Sequence, residues 1–140
     1  MCEVAAQLTN DSIVLGDFPL SRLLLCNDAK YPWFILVPRR EGVREIFELS
    51  EADQQQLLWE SSYLSRKLNQ GFNADKMNVA ALGNQVPQLH LHHIVRYRND
   101  PAWPGPVWGK VAMVPYTESE LANMKQRLGL LLSEQFEALD

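Results

Sequence analysis

The chain has 140 residues, 46% of them hydrophobic and 21% charged, with a formal net charge of −4. That length suits one domain over residues 1–140 with a core of its own, and the acidic balance argues against a surface built for long nucleic acids. No apolar run approaches the ~20 residues of a membrane span, and Met1-Cys2-Glu3-Val4 lacks the basic and apolar segments of a secretory signal.

Ser12 to Leu15 and Arg22 to Asn27 read as two strands around a turn at Gly16-Asp17-Phe18-Pro19. Tyr31-Pro32 leads into Trp33-Phe34-Ile35-Leu36-Val37, the continuous apolar run of a central strand, closed by Pro38 and the charged turn Arg39-Arg40-Glu41-Gly42. Ser50, with Asp53 three positions on and Glu51 in the first turn, marks a helix N-terminus. This helix should run to about Asn69, with Leu57, Leu58, Leu64 and Leu68 near one face and Gly71 past its end. Lys76 to Leu82 is a predicted strand, Gly83-Asn84-Gln85 a hairpin turn, and Gln88 to Arg98 the returning strand. Asp100 to Gly109 contains Pro101, Pro104 and Pro106 with Trp103 and Trp108, so an ordered, irregular loop is expected, its tryptophans serving packing or a subunit contact. Thr117 and Glu120 form a capping-box pattern that starts a C-terminal helix through Leu139. Strands clustered around one long helix, with a second helix closing the chain, predict an α+β fold on an antiparallel sheet. Cys2 and Cys26 have no metal-ligand spacing and make no disulfide framework, so free thiols in a cytoplasmic protein are expected.

All three histidines fall within Gln88-Leu-His-Leu-His-His-Ile-Val95. Strand alternation puts Gln88, His90, His92, Arg96 and Arg98 on one face, and Leu89, Leu91, His93, Val95 and Tyr97 on the other. His93 thus reads as a core residue, and Arg39 and Arg40 as a solvated pair. A neutral imidazole is a good nucleophile toward phosphorus and a good leaving group from it, provided a partner fixes its tautomer and donors surround the developing charge. His90 suits the nucleophile. His92, about 7 Å along by strand rise, suits a donor to phosphate or leaving-group oxygens, and Gln88 could orient either ring. The same pair could instead give two ligands to zinc or another transition metal, which would need a third from elsewhere.

The strand resembles the signature of the histidine triad (HIT) family of nucleotide hydrolases and transferases, in which three histidines alternate with hydrophobic residues. Gly83-Asn84 stands five positions before Gln88, where the family has a glycine and a polar residue before its first histidine. In that register Gln88 takes the first triad position, His90 the central nucleophile and His92 the third. Cys26-Asn27-Asp28-Ala29-Lys30-Tyr31-Pro32, followed by Trp33 to Pro38 and Arg39-Arg40, is similar to the family's strand–turn–strand, so the likeness spans Leu23 to Arg98. The departures are Gln88 for histidine, His93 for a hydrophobic residue, and Trp33 at a position that is histidine in some members. The resemblance implies a HIT-like fold and attack at the α-phosphate of a nucleotide conjugate through a nucleotidyl-histidine intermediate. It also implies ribose binding by Asp28, phosphate contacts from Asn84 and Gln85, no cofactor, and a homodimer. The alternative under the same resemblance is a nucleotide-binding protein with little turnover, because glutamine cannot relay protons.

Overall fold

Six antiparallel strands form one sheet in the order β4-β5-β3-β2-β1-β6. The strands are β1 (Ser12–Asp17), β2 (Ser21–Cys26), β3 (Trp33–Pro38), β4 (Lys76–Ala80), β5 (Leu91–Arg96) and β6 (Glu137–Ala138). Helix α1 (Glu51–Gly71) lies between β3 and β4 in the chain, and α2 (Glu118–Leu131) between β5 and β6. The structure is a computed structural model that describes residues 10–139. Cys2 and the N-terminal segment read for a signal lie outside them.

β3 is hydrogen-bonded to β2 on one side and β5 on the other, and all six of its residues are buried. That position explains its unbroken apolar run, since both of its faces are covered. Phe34 and Leu36 pack with Leu23, Leu25 and Val95 against Tyr63, Leu64 and Leu68 of α1. Trp33, Ile35 and Val37 face the opposite way with Leu24, Cys26 and Ile94, under Ala102 and Val107 of the Pro/Trp loop. The α+β fold is as expected, with a distinct core on each face of the sheet.

Ser50 caps α1 through its side chain, which accepts from the Asp53 N–H at 3.1 Å. The helix buries Leu57, Leu64 and Leu68 as expected, but Leu58, one helical step of 100° away from Leu57, is 68% exposed. Glu60 takes a buried place instead. Its carboxylate accepts the backbone N–H groups of Leu20 (2.8 Å) and Ser21 (3.1 Å), tying α1 to the β1–β2 turn.

Several boundaries differ from the sequence reading. β4 stops at Ala80 and β5 starts at Leu91, so residues 81–90 form a long irregular connection rather than a hairpin turn. Pro87 has no N–H for a ladder, and Gly83 has φ +80°, a conformation that favours glycine. β5 also ends at Arg96, where the loop begins. At the C-terminus α2 stops at Leu131 instead of Leu139 because tertiary contacts hold the following backbone. The Tyr63 hydroxyl accepts the N–H groups of Ser133 and Glu134, and β6 pairs with Gly16 and Asp17. The approach at Gly16 is close: a Cβ there would lie 2.3 Å from the Glu137 carbonyl oxygen. Thr117 and Glu120 do form the capping box that opens α2. No helix among the described residues is long and apolar enough to cross a membrane.

Candidate functional site

His92 pairs across the sheet with Ile35, so its ring lies on the face that carries Trp33 and Ile35. The His90 ring is beside it, with centroids 5.0 Å apart, closer than strand rise alone suggests. His90 precedes the regular strand, and its Nδ1 lies 2.7 Å from the Gln88 carbonyl oxygen. A carbonyl only accepts, so Nδ1 carries a proton, and in the neutral ring the lone pair is on Nε2. Gln88 thus orients His90 through its main chain.

His92 has the opposite tautomer. The Trp33 indole N–H donates to His92 Nδ1 at 2.9 Å, and an indole nitrogen can only donate. Nδ1 is therefore the acceptor and Nε2 holds the proton. Burial, with His90 and His93 nearby, pushes the His92 pKa down to about 3, so the ring is neutral at ordinary pH. One imidazole thus presents a lone pair and its neighbour an N–H.

Both rings line a cavity of about 390 Å³ together with Trp33, Ile35, Cys26 and Trp108 on its aromatic and apolar side. Asn84 and Gln85 line the same cavity, and both are exposed. A second cavity of about 370 Å³, with Arg44, Ile46, Phe47 and Gln54 in its wall, shares His90, Leu82 and Gly83 with the first. Gln88 lines this second cavity. His90 thus stands where two cavities meet.

Asp28 is placed elsewhere. It is 2% exposed and absent from the cavity wall. Its carboxylate accepts from Lys30 Nζ at 2.8 and 3.0 Å, from the Lys30 N–H at 3.2 Å and from the Val114 N–H at 3.2 Å. These bonds give it a structural task in joining the β2–β3 turn to the segment before α2. Asp11, just before β1, and Ser12, its first residue, line the cavity in its stead.

Arg96 and Arg98, placed by alternation on the histidine face, do not extend it into a cationic row. Arg96 is 1% exposed and points under the Pro/Trp loop. Its guanidinium donates to both Asp100 oxygens (2.8 and 3.0 Å), to the Gly105 carbonyl (2.8 Å) and to Asn78 Oδ1 (2.7 Å). Arg98 is exposed beyond the strand. Arg39 and Arg40 are paired with Asp17 and Asp53. No lysine or arginine is among the described residues lining the histidine cavity, so charge there would be met by neutral donors.

His93 faces the helix as alternation requires. It is fully buried, with Nδ1 3.0 Å from the Leu91 carbonyl and Nε2 2.7 Å from Ser61 Oγ of α1. Among the described residues no three His, Cys, Asp or Glu side chains gather as metal ligands. The Cys26 thiol is buried, and desolvation followed by the nearby Asp28 and Asp11 charges pushes its pKa up to about 12, which leaves it unreactive.

The sequence reading missed the two tryptophans as site residues. Trp108 meets His92 edge-on at 5.0 Å and Trp33 at 5.5 Å. Alternation along β3 could have grouped Trp33 with Ile35, but the cross-strand register that brings it to His92 depends on the assembled sheet.

Residues 7–99 match the HIT domain family. No curated protein matched the sequence. Among solved structures, the chain is similar to a histidine triad protein from Marinobacter aquaeolei at 56% identity, covering 96% of this chain and 98% of that one, with a TM-score of 0.94. It is likewise similar to histidine triad proteins from Bradyrhizobium japonicum (44% identity, 94% and 98% coverage, TM-score 0.91) and Sinorhizobium meliloti (39%, 94% and 98%, TM-score 0.91). A family match over most of the chain, joined to these likenesses and to the paired imidazoles of β5, shows that the protein belongs to the HIT family, whose members are in general nucleotide hydrolases or transferases.

Proposed function

We propose that the protein hydrolyses or transfers at the α-phosphate of a nucleotide conjugate, with His90 as nucleophile. The observation that carries this reading is the 2.7 Å bond from His90 Nδ1–H to the Gln88 carbonyl, which leaves Nε2 as the attacking lone pair on a cavity wall. Nε2 forms the bond to phosphorus, and the bond to the leaving group breaks with its electron pair on the departing atom. Water then attacks phosphorus, the N–P bond breaks, and the pair returns to Nε2. His92 Nε2–H donates to a phosphate oxygen as charge builds, and Asn84 and Gln85 add contacts to the phosphate. With Asp28 committed to Lys30 and Val114, Asp11 is the carboxylate on the cavity wall for the ribose hydroxyls.

In this reading Gln88 stands for the first histidine of the triad without harming nucleophile orientation, since the main chain provides it. The working form is a homodimer, through the exposed edge of β4 and the apolar residues beside it. The test is turnover of an adenosine phosphoramidate and a dinucleoside polyphosphate by the wild type and by His90→Ala. Loss of activity on the order of 10³-fold or more is expected in the variant. Equal background rates in both proteins, with nucleotide still bound, would replace the enzyme with a binding module.

A further inference from the structure

Trp33 and His92 are joined by a bond whose direction is fixed. The indole N–H has no acceptor capacity, so the 2.9 Å contact exists only while His92 Nδ1 is unprotonated. An imidazolium at this position would set two N–H donors against each other. Trp108 closes the other side of the ring, and the His92 side chain is 7% exposed, so little room is left for a rotated alternative.

We propose that Trp33 is a positioning residue that locks His92 as a neutral Nε2–H donor, and that this lock selects substrates by leaving group. The proposal rests on the phosphorus chemistry assigned above to His90. A neutral imidazole N–H stabilises negative charge by hydrogen bonding, but it is far too weak an acid to give up its proton at neutral pH. His90 cannot supply one either, because its Nδ1 proton is held on the Gln88 carbonyl and its Nε2 is bonded to phosphorus in the intermediate. The other titratable groups on this cavity's wall are Cys26, a buried thiol, and Asp11 before β1, and the second cavity beside His90 adds the exposed Arg44 and Glu45.

The first step balances without an acid only for one class of substrate. When the N–P bond forms and the bond from phosphorus to the leaving atom breaks, the departing group keeps the electron pair. A phosphate or substituted phosphate, released from a phosphoric anhydride, is stable as that anion. An amine released from a phosphoramidate must take a proton as it leaves. The site therefore favours nucleotides whose leaving group departs as a stable oxyanion.

The test pairs a leaving-group series with a direct reading of the ring. Activity is measured on adenosine 5′-phosphate aryl esters of graded phenol acidity, a dinucleoside polyphosphate and an adenosine phosphoramidate. In the wild type, kcat/KM should fall steeply as the leaving group becomes more basic, with the phosphoramidate about 100-fold or more below the anhydride, the scale of a missing general acid. Long-range ¹H–¹⁵N spectra of the histidine rings should give His92 as the Nε2–H tautomer, neutral through pH 5. In Trp33→Phe that ring should titrate at higher pH and the anhydride preference should shrink about tenfold or more. If Trp33→Phe does not fold, the isosteric residue β-(3-benzothienyl)alanine at position 33 removes the N–H alone.

A wild-type His92 protonated on Nδ1, or a phosphoramidate cleaved as fast as the anhydride, overturns the proposal. So does an unchanged preference in a folded Trp33 variant whose His92 has changed tautomer. A wild type that turns over none of these nucleotides, yet shows the Nε2–H tautomer, rejects the hydrolase reading and the substrate preference with it, while the lock itself stands.

Discussion

His90 receives its orientation from a peptide carbonyl, and this changes what the glutamine at position 88 means. A histidine-to-glutamine exchange removes a titratable ring, but the carbonyl that accepts from His90 Nδ1 is common to every residue. Gln88→Ala is therefore expected to lower kcat by less than about tenfold, while His90→Ala removes the proposed nucleophile; a Gln88→Ala loss as deep as the His90→Ala loss would put the glutamine side chain in the reaction. Strand alternation made the division between His90/His92 and His93 legible in the sequence. The acceptors and donors that fix each ring were not, because they come from a carbonyl two residues back and from an indole on a neighbouring strand. His93 supplies a separate prediction. Burial, partly offset by the bond to the Leu91 carbonyl, holds its pKa down at about 4 against 6.5 for the free ring. The unfolded chain thus binds more protons than the folded one below pH 6.5. Stability is fully present above that pH and is lost as pH falls toward about 4. His93 alone should contribute a slope approaching about 1.4 kcal/mol per pH unit in that window. Urea denaturation from pH 7.5 to 4.5 should show that slope reduced in His93→Gln, whatever the variant's stability at neutral pH; parallel curves would mean His93 does not titrate as described.

The Pro/Trp loop illustrates the same limit for whole elements. Its prolines and tryptophans announced an ordered, irregular segment, and it is one, but its anchor was hidden in Arg96, which alternation placed only on the histidine face. Asp100 accepts the N–H groups of Tyr97, Ala102 and Trp103 as well as the Arg96 guanidinium, so one carboxylate organises the turn out of β5. Burial alone would raise the Asp100 pKa; the Arg96 guanidinium and the Tyr97 and Trp103 N–H groups outweigh it and hold the carboxyl below its usual range. The Arg96 guanidinium also lies 5.6 Å from the Trp103 ring. Through this frame Trp108 is brought against His92. Arg96→Met should cost about 3–5 kcal/mol, because it leaves the Asp100 charge buried without its partner. Denaturant unfolding of Arg96→Met, Asp100→Asn and the double variant should show the double costing clearly less than the sum; additive costs would mean the pair is not coupled. The helices were the most legible elements, since the side chains of Ser50 and Thr117 announce their starts and both caps form. Their ends were less so: α2 stops where Tyr63 and β1 capture the chain, contacts that have no local signature.

At the scale of the whole molecule, the two edges of the sheet are finished differently. β6 at one edge has two residues, whereas β4 at the other is five residues long and carries a single charge, Lys76. A strand left in that state presents unpaired backbone groups to any similar edge. Val79 of β4 shares one surface depression with Ile46 and Leu58, the three being 49%, 42% and 68% exposed, and Phe47, which follows Ile46, is 78% exposed. An antiparallel pairing of two β4 edges about a two-fold axis would extend the sheet and cover the apolar residues of both copies at once, the self-complementary arrangement of a cyclic dimer. Ile46 and Phe47 also line the second cavity beside His90, so a partner copy would wall the space that the proposed reaction leaves for a departing group. Leu58→Glu, on the exposed face of α1, should convert a dimer into a monomer without unfolding it. Sedimentation equilibrium at micromolar concentration should give the dimer mass for the wild type and the monomer mass for the variant. Turnover per site should fall with dissociation, the expected sign being a higher KM from the loss of a cavity wall. A wild type that sediments as a monomer throughout would sink the assembly. A monomeric Leu58→Glu with unaltered kinetics would keep the dimer but detach it from the chemistry, and the cavity at Ile46 and Phe47 would then serve the leaving group from one chain alone.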